Sequence, residues 1–327
     1  MITRQAYSTD ITDTEWLILE PLVPAQKQRG RKIEYERREV VNAIFYLNRN
    51  GCTWRNLPHD FPPYRTVSHY FHLWRRDGTW QAVHDILRTQ LRLAEGRHAQ
   101  PSAGVIDSQS VKTTEQRGER GYDAGKKIKG RKRHLLGDTM GLLLILVVHA
   151  ASIQDRDGAK LVLEKARGRF PHLKHIWADG GYAGKLIQWV QATCHWTLEI
   201  VKRTDDLKGF QVLPRRWVVE CTLGWLGRCR RLSKDYECLS QSSEAMVQVA
   251  MIRLMLARLA RTLQVPTAPP VFCPSAFPGG DTPPASLTSP ESSWIPPLAA
   301  SEAASRKAAQ TSNSSRLLGP PTSPRAP

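Results

Sequence analysis

Three acidic residues stand in surroundings where an unpartnered charge is costly. Asp107 follows Val105 and Ile106 in "VIDSQ", and Asp179 follows Trp177 and Ala178 in "WADGGY". Glu220 is the sole acid in "RRWVVECTLGWLGRCRR", residues 215–231. The first two segments read as strands ending at the acid, and strand carboxyl ends in open α/β sheets face the crevice where ligands bind. The third reads as a helix. Carboxylates converging from two strand ends and a helix repel one another and raise each other's pKa unless a divalent cation neutralises them. An all-oxygen set selects hard cations such as Mg²⁺ or Mn²⁺. Two such ions can activate an attacking oxygen and stabilise a leaving one in phosphodiester chemistry. Each acid also has a plainer role open to it: Asp107 as the cap of a turn, Asp179 with Gly180 and Gly181 as an Asx-turn, Glu220 as the ion-pair partner of Arg216.

The charge around these acids is strongly positive. Over 327 residues, 47 Lys and Arg against 30 Asp and Glu give +17, which favours polyanionic partners, nucleic acid first and an anionic membrane second. The run "KKIKGRKRH", residues 126–134, is the densest patch. Its Lys126, Lys127, Lys129, Arg131, Lys132 and Arg133 read as phosphate-backbone contacts, with a solvated basic loop as the alternative. Arg216, Arg228 and Arg231, which flank Glu220, join that set. The chain carries no GxxxxGK[ST] loop, GxSxG elbow or HExxH pair, which argues against an NTPase, an α/β-hydrolase or a zinc protease. Its six cysteines form no CxxC pair, so neither a disulfide framework nor a zinc site is expected. The N-terminus has no apolar signal core, and "LLLILVV" at 142–148 is far short of the ~20 residues that span a bilayer. A soluble cytoplasmic protein with no membrane partner is expected.

The elements that must position these residues fall into three zones. Residues 1–95 read as short helices: "TDITDTEWLILEPLVP" opens on capping residues and stops at proline, and "YERREVVNAIFYLNRN" ends before Gly51. In "YRTVSHYFHLWRRDGTW", Val67, Tyr70, Phe71 and Trp74 share one face, with Arg65, His69, Arg75 and Arg76 elsewhere on the surface. Such a set suits a helix-turn-helix-like DNA-binding unit, although an aromatic stripe is also what a core needs. Residues 100–263 alternate: a strand to Asp107, a hairpin turning at "GDTMG", a helix from "DRDG", a strand to Asp179, a helix, a strand at "WTLEIVKR", then helices. That order predicts an α/β fold with a mixed sheet. Asp138 reads as a turn residue, Asp155 and Asp157 as helix N-terminal acids, and Asp123 as structural or supporting. Residues 265–327 hold 14 of the 22 prolines among Ser, Ala and Thr, and read as a disordered tail.

Taken together, "GVIDSQSVK", "KKIKGRKRH", "DTMGLLL", "ADGGYAG" and "RRWVVECTLGWLGRCRRLSKDYE" resemble the DDE transposases of bacterial insertion sequences, of the insertion-sequence-five family within the insertion-sequence-four group. "WLILEPLVP", "NGCTWRNLPHDFPPYRTVSHYF" and "WRRDGTW" look like the helical domain preceding that family's catalytic core. The resemblance runs from about residue 8 to 262. It implies an RNase H-like catalytic core, with Asp107, Asp179 and Glu220 as catalytic metal ligands and Mg²⁺ as the usual ion, Mn²⁺ substituting. It further implies binding to the element's inverted terminal repeats, strand cleavage by water, joining of the freed 3′-hydroxyl ends to target DNA, and a homodimer on double-stranded DNA. Around the glutamate the family pattern is Tyr, two residues, Arg, three residues, Glu, six residues, Lys. Arg216 and Glu220 match it, while Leu213 and Gly227 replace the Tyr and the Lys, leaving Arg228 or Arg231 for the phosphate contact. The alternatives are a DNA-binding relic and an RNase H-like nuclease that never joins strands.

Overall fold

A computed structural model describes residues 4–25, 35–115, 118–201 and 217–264. Arg216 and the Pro-rich segment from residue 265 lie outside the described residues. Residues Met1–Thr267 cluster as one compact unit.

Four helices come first: α1 (Asp13–Leu19), α2 (Arg37–Asn50), α3 (Tyr64–Arg76) and α4 (Thr79–Ala94). Helix α1 starts where its sequence says it must. The Glu15 amide donates to Thr12 Oγ1 at 3.2 Å and the Thr12 amide to Glu15 Oε2 at 2.8 Å, a capping box that satisfies two end groups. Helix α2 ends at Gly51, whose φ of 76° is the left-handed conformation that glycine adopts without steric cost. Val67, Phe71 and Trp74 are the buried face of α3, and the Trp80 indole donates to the Phe71 carbonyl at 3.1 Å, joining α3 to α4.

The second half is an α/β layer of the RNase H-like kind. Its strands are β1 (Ala103–Lys112), β2 (Gly121–Asp123), β3 (Ile128–Asp138), β4 (Leu143–Ala150), β5 (His175–Ala178) and β6 (Thr197–Ile200). Its helices are α5 (Asp155–Ala166), α6 (Lys185–Cys194), α7 (Trp217–Gly227) and α8 (Ser240–Gln264). The sheet runs β2-β3-β1-β5-β6, with β4 also pairing β3. Strand β1 is antiparallel to β3 but parallel to β5, and β5 is parallel to β6, so the sheet is mixed as expected. The short strand β2 was not legible in the sequence.

Residue alternation divides the core between the two sheet faces. Val105, Leu135 and Trp177 face the cluster that includes α8 and the N-terminal helices. Ile106, Leu136, Ile176 and Ala178 face the cluster with α5 and α6. Helix α7 packs on the α8 side, against β1 and β3, through Val218, Val219, Thr222 and Leu226.

Candidate active site

The parallel pairing of β1 with β5 runs from Ala103↔His175 to Val105↔Trp177. Asp107 and Asp179 each lie two residues past that last pair. By the two-residue period of a strand, Asp107 belongs to the face of Val105, on which α7 packs, while Asp179 follows the last residue of β5 and opens the next turn. Asp107 is not at the end of its strand, as its sequence suggested. β1 continues to Lys112 because β3 pairs it along its whole length, from Gly104↔Asp138 to Lys112↔Gly130. Only the ladder with β5 stops short of the acid.

Asp179 caps the 3₁₀ turn Gly180–Tyr182, its Oδ1 accepting from the Gly181 amide at 2.9 Å, so the Asx-turn expected of it exists. Asp107 Oδ1 accepts from the Ser108 amide at 2.7 Å. Burial, and then the neighbouring Asp107 and Asp155 carboxylates, push the Tyr182 phenol well above its usual pKa, with Asp179 adding to it. Tyr182 is thus the group that feels all three carboxylates.

Glu220 is placed differently. Thr222 is anchored to the Gly141 carbonyl at 2.8 Å, which seats α7 with its buried stripe toward the sheet. Glu220, Gly224 and Gly227 form the opposite, exposed side. A Cβ at Gly224 or Gly227 would meet nothing within 4 Å, so that side is open to a large ligand. Among the described residues, no group of three or more His, Cys, Asp or Glu side chains is placed to hold a metal ion. Asp107 and Asp179 alone are an oxygen-only pair on adjacent strands. Such a pair fits a hard cation of the Mg²⁺ kind, which takes one or two protein carboxylates and completes its shell with water and substrate phosphate.

The basic run resolves into inside and outside. Along β3, alternation sends Arg131 and Arg133 to one sheet face and Lys132 and His134 to the other, and all four are buried. Arg131 donates to the Glu119, Glu237 and Cys238 carbonyls and pairs with Asp235. Arg133 donates to the Leu232 carbonyl at 2.8 Å, and burial brings its pKa down to about 10. Lys132 pairs with Asp155 at 2.9 Å and Asp123 at 3.5 Å. These three cations are structural, each consumed by interior acceptors, and present nothing to a phosphate. Lys127 and Lys129 are exposed, while Lys126 reaches back to the Ser108 carbonyl at 3.0 Å. Arg228 is exposed just after α7. Arg231 does not continue that helix, which stops at Gly227; it is buried in a separate 3₁₀ turn and pairs with Glu237 at 2.7 Å.

Sequence reasoning missed a buried polar chain behind the two aspartates. The Tyr182 hydroxyl meets His134 Nε2 at 2.8 Å, His134 Nδ1 meets His149 Nε2 at 3.4 Å, and His149 Nδ1 meets the Ala150 carbonyl at 2.9 Å. Burial, and then the neighbouring His149, bring His134 down to about 3, so both rings are neutral. With His149 Nδ1 donating to the carbonyl, the chain runs one way: His134 Nδ1 donates to His149, and Tyr182 donates to His134. Asp155, read as a helix-end acid, does open α5, but it also accepts from Ser108 Oγ at 2.7 Å and from Lys132. Burial raises its pKa, and these bonds outweigh that to leave it below the usual carboxylate range. The one signal in the sequence was "GRKRHLLG" itself: basic residues at successive positions of a strand point to both faces of the sheet, so at least some must face the interior.

Residues 98–255 match the family described as the transposase DDE domain, and residues 11–84 match a family of transposases of the IS4/5 type. The first match spans Asp107, Asp179 and Glu220. The chain is also 29% identical over 108 residues to a protein of Burkholderia cepacia, "Insertion element IS402 uncharacterized 16.2 kDa protein". That alignment covers 31% of this chain and 72% of the relative.

Proposed function

The chain belongs to the DDE transposases of the IS4/5 insertion-sequence type, and from that membership we propose that it binds the terminal inverted repeats of its own element, cleaves the strands there and joins the 3′-hydroxyl ends to target DNA. The observation that carries this is the placement of Asp107 and Asp179 two residues past the Val105↔Trp177 pair. The two carboxylates then follow the last paired residues of two adjacent strands.

DDE transposases generally use divalent metals, and we assign Mg²⁺ here, with Mn²⁺ able to substitute, to Asp107 and Asp179. When bound, such an ion supplies charge for a developing alkoxide and acidity for an attacking water or hydroxyl. The chain's own residues do the rest. Asp179 is held by its Asx-turn, and Asp107 by the two-sided pairing of β1. The bare side of α7 around Glu220 admits a close phosphodiester backbone. Glu220 is assigned as the third ligand. Lys127, Lys129 and Arg228 are left as backbone contacts of the original set, and Arg216 is retained with them. The working form is a homodimer on two DNA ends, in the cytoplasm at the nucleoid.

A strand-transfer assay tests this: purified protein, Mg²⁺, a duplex carrying the element's end and a supercoiled target. Joined products support the proposal. Nicking without joining makes the protein a nuclease. One observation favours a different reading, a non-cleaving DNA-binding relic: Glu220 stands exposed on the outer side of α7, and no group of three acidic, His or Cys side chains is placed to hold a metal among the described residues. Retained DNA affinity with no heat of Mg²⁺ or Mn²⁺ binding, free or on DNA, would decide for the relic.

A further inference from the structure

Helix α5 touches the surroundings of both aspartates. It packs against the 3₁₀ turn Gly180–Tyr182, which Asp179 opens. Its first residue, Asp155, reaches the strand of the other aspartate. Asp155 Oδ1 accepts from Ser108 Oγ at 2.7 Å, and the Ser108 amide donates to Asp107 Oδ1 at 2.7 Å. We propose that Asp155 is a positioning residue for the cleavage centre, anchoring the strand of Asp107 to the helix that packs on the turn of Asp179. The proposal deepens the transposase reading and rests on it for the reaction that the two aspartates serve.

The strand needs such an anchor. Both β3 and β5 pair β1 as far as Val105, and that pairing holds Asp107 from behind. From Ile106 to Val111 the only strand that pairs β1, among the described residues, is β3. A strand held along one edge is free to twist about it, and its successive side chains point to opposite faces. Asp107 is on the face of α7, so Ser108 is on the face of α5. Fixing the Ser108 side chain from that far face sets the rotation of the strand. It thereby sets the direction in which Asp107 points.

The neighbouring bonds show what is particular about Asp155. Ser108 and Ser110 are both buried on one face of β1, and Ser110 Oγ donates to Asp123 Oδ2 at 2.5 Å. Lys132 stands opposite Ser110 across the β1–β3 ladder and joins the two acids, at 2.9 Å to Asp155 and 3.5 Å to Asp123. A buried ammonium requires a counter-charge, and Asp123 already lies beside it. Asp155 does two things that Asp123 does not. Its hydroxyl partner adjoins Asp107, and its second oxygen faces the turn of the other aspartate. A Cβ at Gly181 would lie 3.9 Å from Asp155 Oδ2 and 3.0 Å from Asp179 Oδ1. Among the described residues Oδ2 takes no hydrogen bond, so only Oδ1 is committed to Ser108 and Lys132.

A positioning bond and a merely structural one differ in what they change. Removing a group that orients a metal-ligating side chain weakens metal binding or activity by about 10–100-fold. Removing a bond that only supports the fold lowers stability and leaves metal affinity as it was.

The experiment measures Mn²⁺ binding to the full-length protein, by electron paramagnetic resonance of the free ion, beside Mg²⁺-dependent cleavage of a duplex carrying the element's end. Ser108→Ala removes Oγ and leaves Asp155 paired with Lys132. It weakens Mn²⁺ binding about ten-fold or more and slows cleavage with DNA affinity unchanged. Ser108→Thr keeps the hydroxyl and restores both. Ser110→Ala deletes a similarly buried hydroxyl from the same face and leaves Mn²⁺ affinity at the wild-type value. Thermal midpoints check that every variant is folded. Asp155→Ala weakens binding at least as far as Ser108→Ala, and the double variant no further than Asp155→Ala alone, because the two act through one bond. Equal effects of Ser108→Ala and Ser110→Ala, or additive losses from Ser108→Ala and Asp155→Ala, overturn the proposal. Wild type that cleaves, with Ser108→Ala indistinguishable from it, refutes the anchor alone. Wild type that binds Mn²⁺ but never cleaves refutes the transposase reading alone, since the affinities still test the anchor. Wild type that neither binds Mn²⁺ nor cleaves overturns both.

Discussion

The Tyr182 hydroxyl, three residues beyond Asp179, donates to Nε2 of His134 at 2.8 Å, and His134 stands opposite Ser108, next to Asp107 in β1. One hydrogen bond therefore ties the turn that carries one aspartate to the strand that braces the other. Tyr182→Phe removes the donor and leaves His134 Nε2 as a buried acceptor without a partner. The expected loss is about 1–3 kcal/mol of stability, read from urea unfolding, together with slower cleavage at undiminished DNA affinity. A variant with wild-type stability and rate would show that the bond positions nothing.

The same chain makes stability depend on pH. His134 has a folded pKa of about 3, below the unfolded value near 6.5, so the unfolded state binds more protons between those limits. Its contribution is fully present above about pH 6.5 and is lost as pH falls toward 3, and the depressed His149 acts in the same direction. Linkage for His134 alone gives a fall of about 2 kcal/mol between pH 7.5 and pH 5. Urea midpoints across that range measure it, and a flat profile would contradict neutral, buried rings.

Gly158 is held to glycine by those two rings. A Cβ there would sit 2.4 Å from His134 Nδ1 and 2.6 Å from His149 Nε2. Alanine in α5 would gain up to about 1 kcal/mol of helix propensity, yet forcing both imidazoles aside costs about 1–3 kcal/mol. Gly158→Ala is accordingly expected to destabilise on balance, as chemical denaturation would reveal, whereas a stabilised variant would mean that the rings can move freely.

The order of strands and helices, the hairpin at Asp138, the mixed sheet and the strand-to-turn break at Asp179 were legible because each rests on local pattern. "GDTMG" makes its turn through Asp138 Oδ1, which accepts from the Met140 and Leu142 amides, both at 2.9 Å. What sequence could not give was the destination of the long basic side chains. Arg131, Lys132 and Arg133 look like a surface patch in one dimension. They are interior because β3 is paired on both sides and covered on both faces, which only the tertiary arrangement decides. Arg231 is the same case, displaced from the helix register when α7 ends at Gly227. Asp138 illustrates the reverse. It is the turn residue expected, and it is also the buried partner of Arg92.

That pair yields a further outcome. Arg92→Leu leaves Asp138 as an uncompensated charge in the core at 0% side-chain exposure. A loss of about 3–5 kcal/mol follows, enough to lower the thermal midpoint by roughly 10 °C. Calorimetry checks it, and a shift of only a degree or two would mean that the carboxyl is neutral or finds water.

The central claim is that Asp107 and Asp179 together form the cleavage centre. Strand scission at the element's ends, assayed with Mg²⁺ and again with Mn²⁺ in wild type, Asp107→Asn and Asp179→Asn, tests it most directly when DNA affinity is measured on the same samples. The expected result is metal-dependent cleavage by wild type and its loss in both variants, with affinity preserved. Cleavage that survives in either variant at the wild-type rate would contradict the claim.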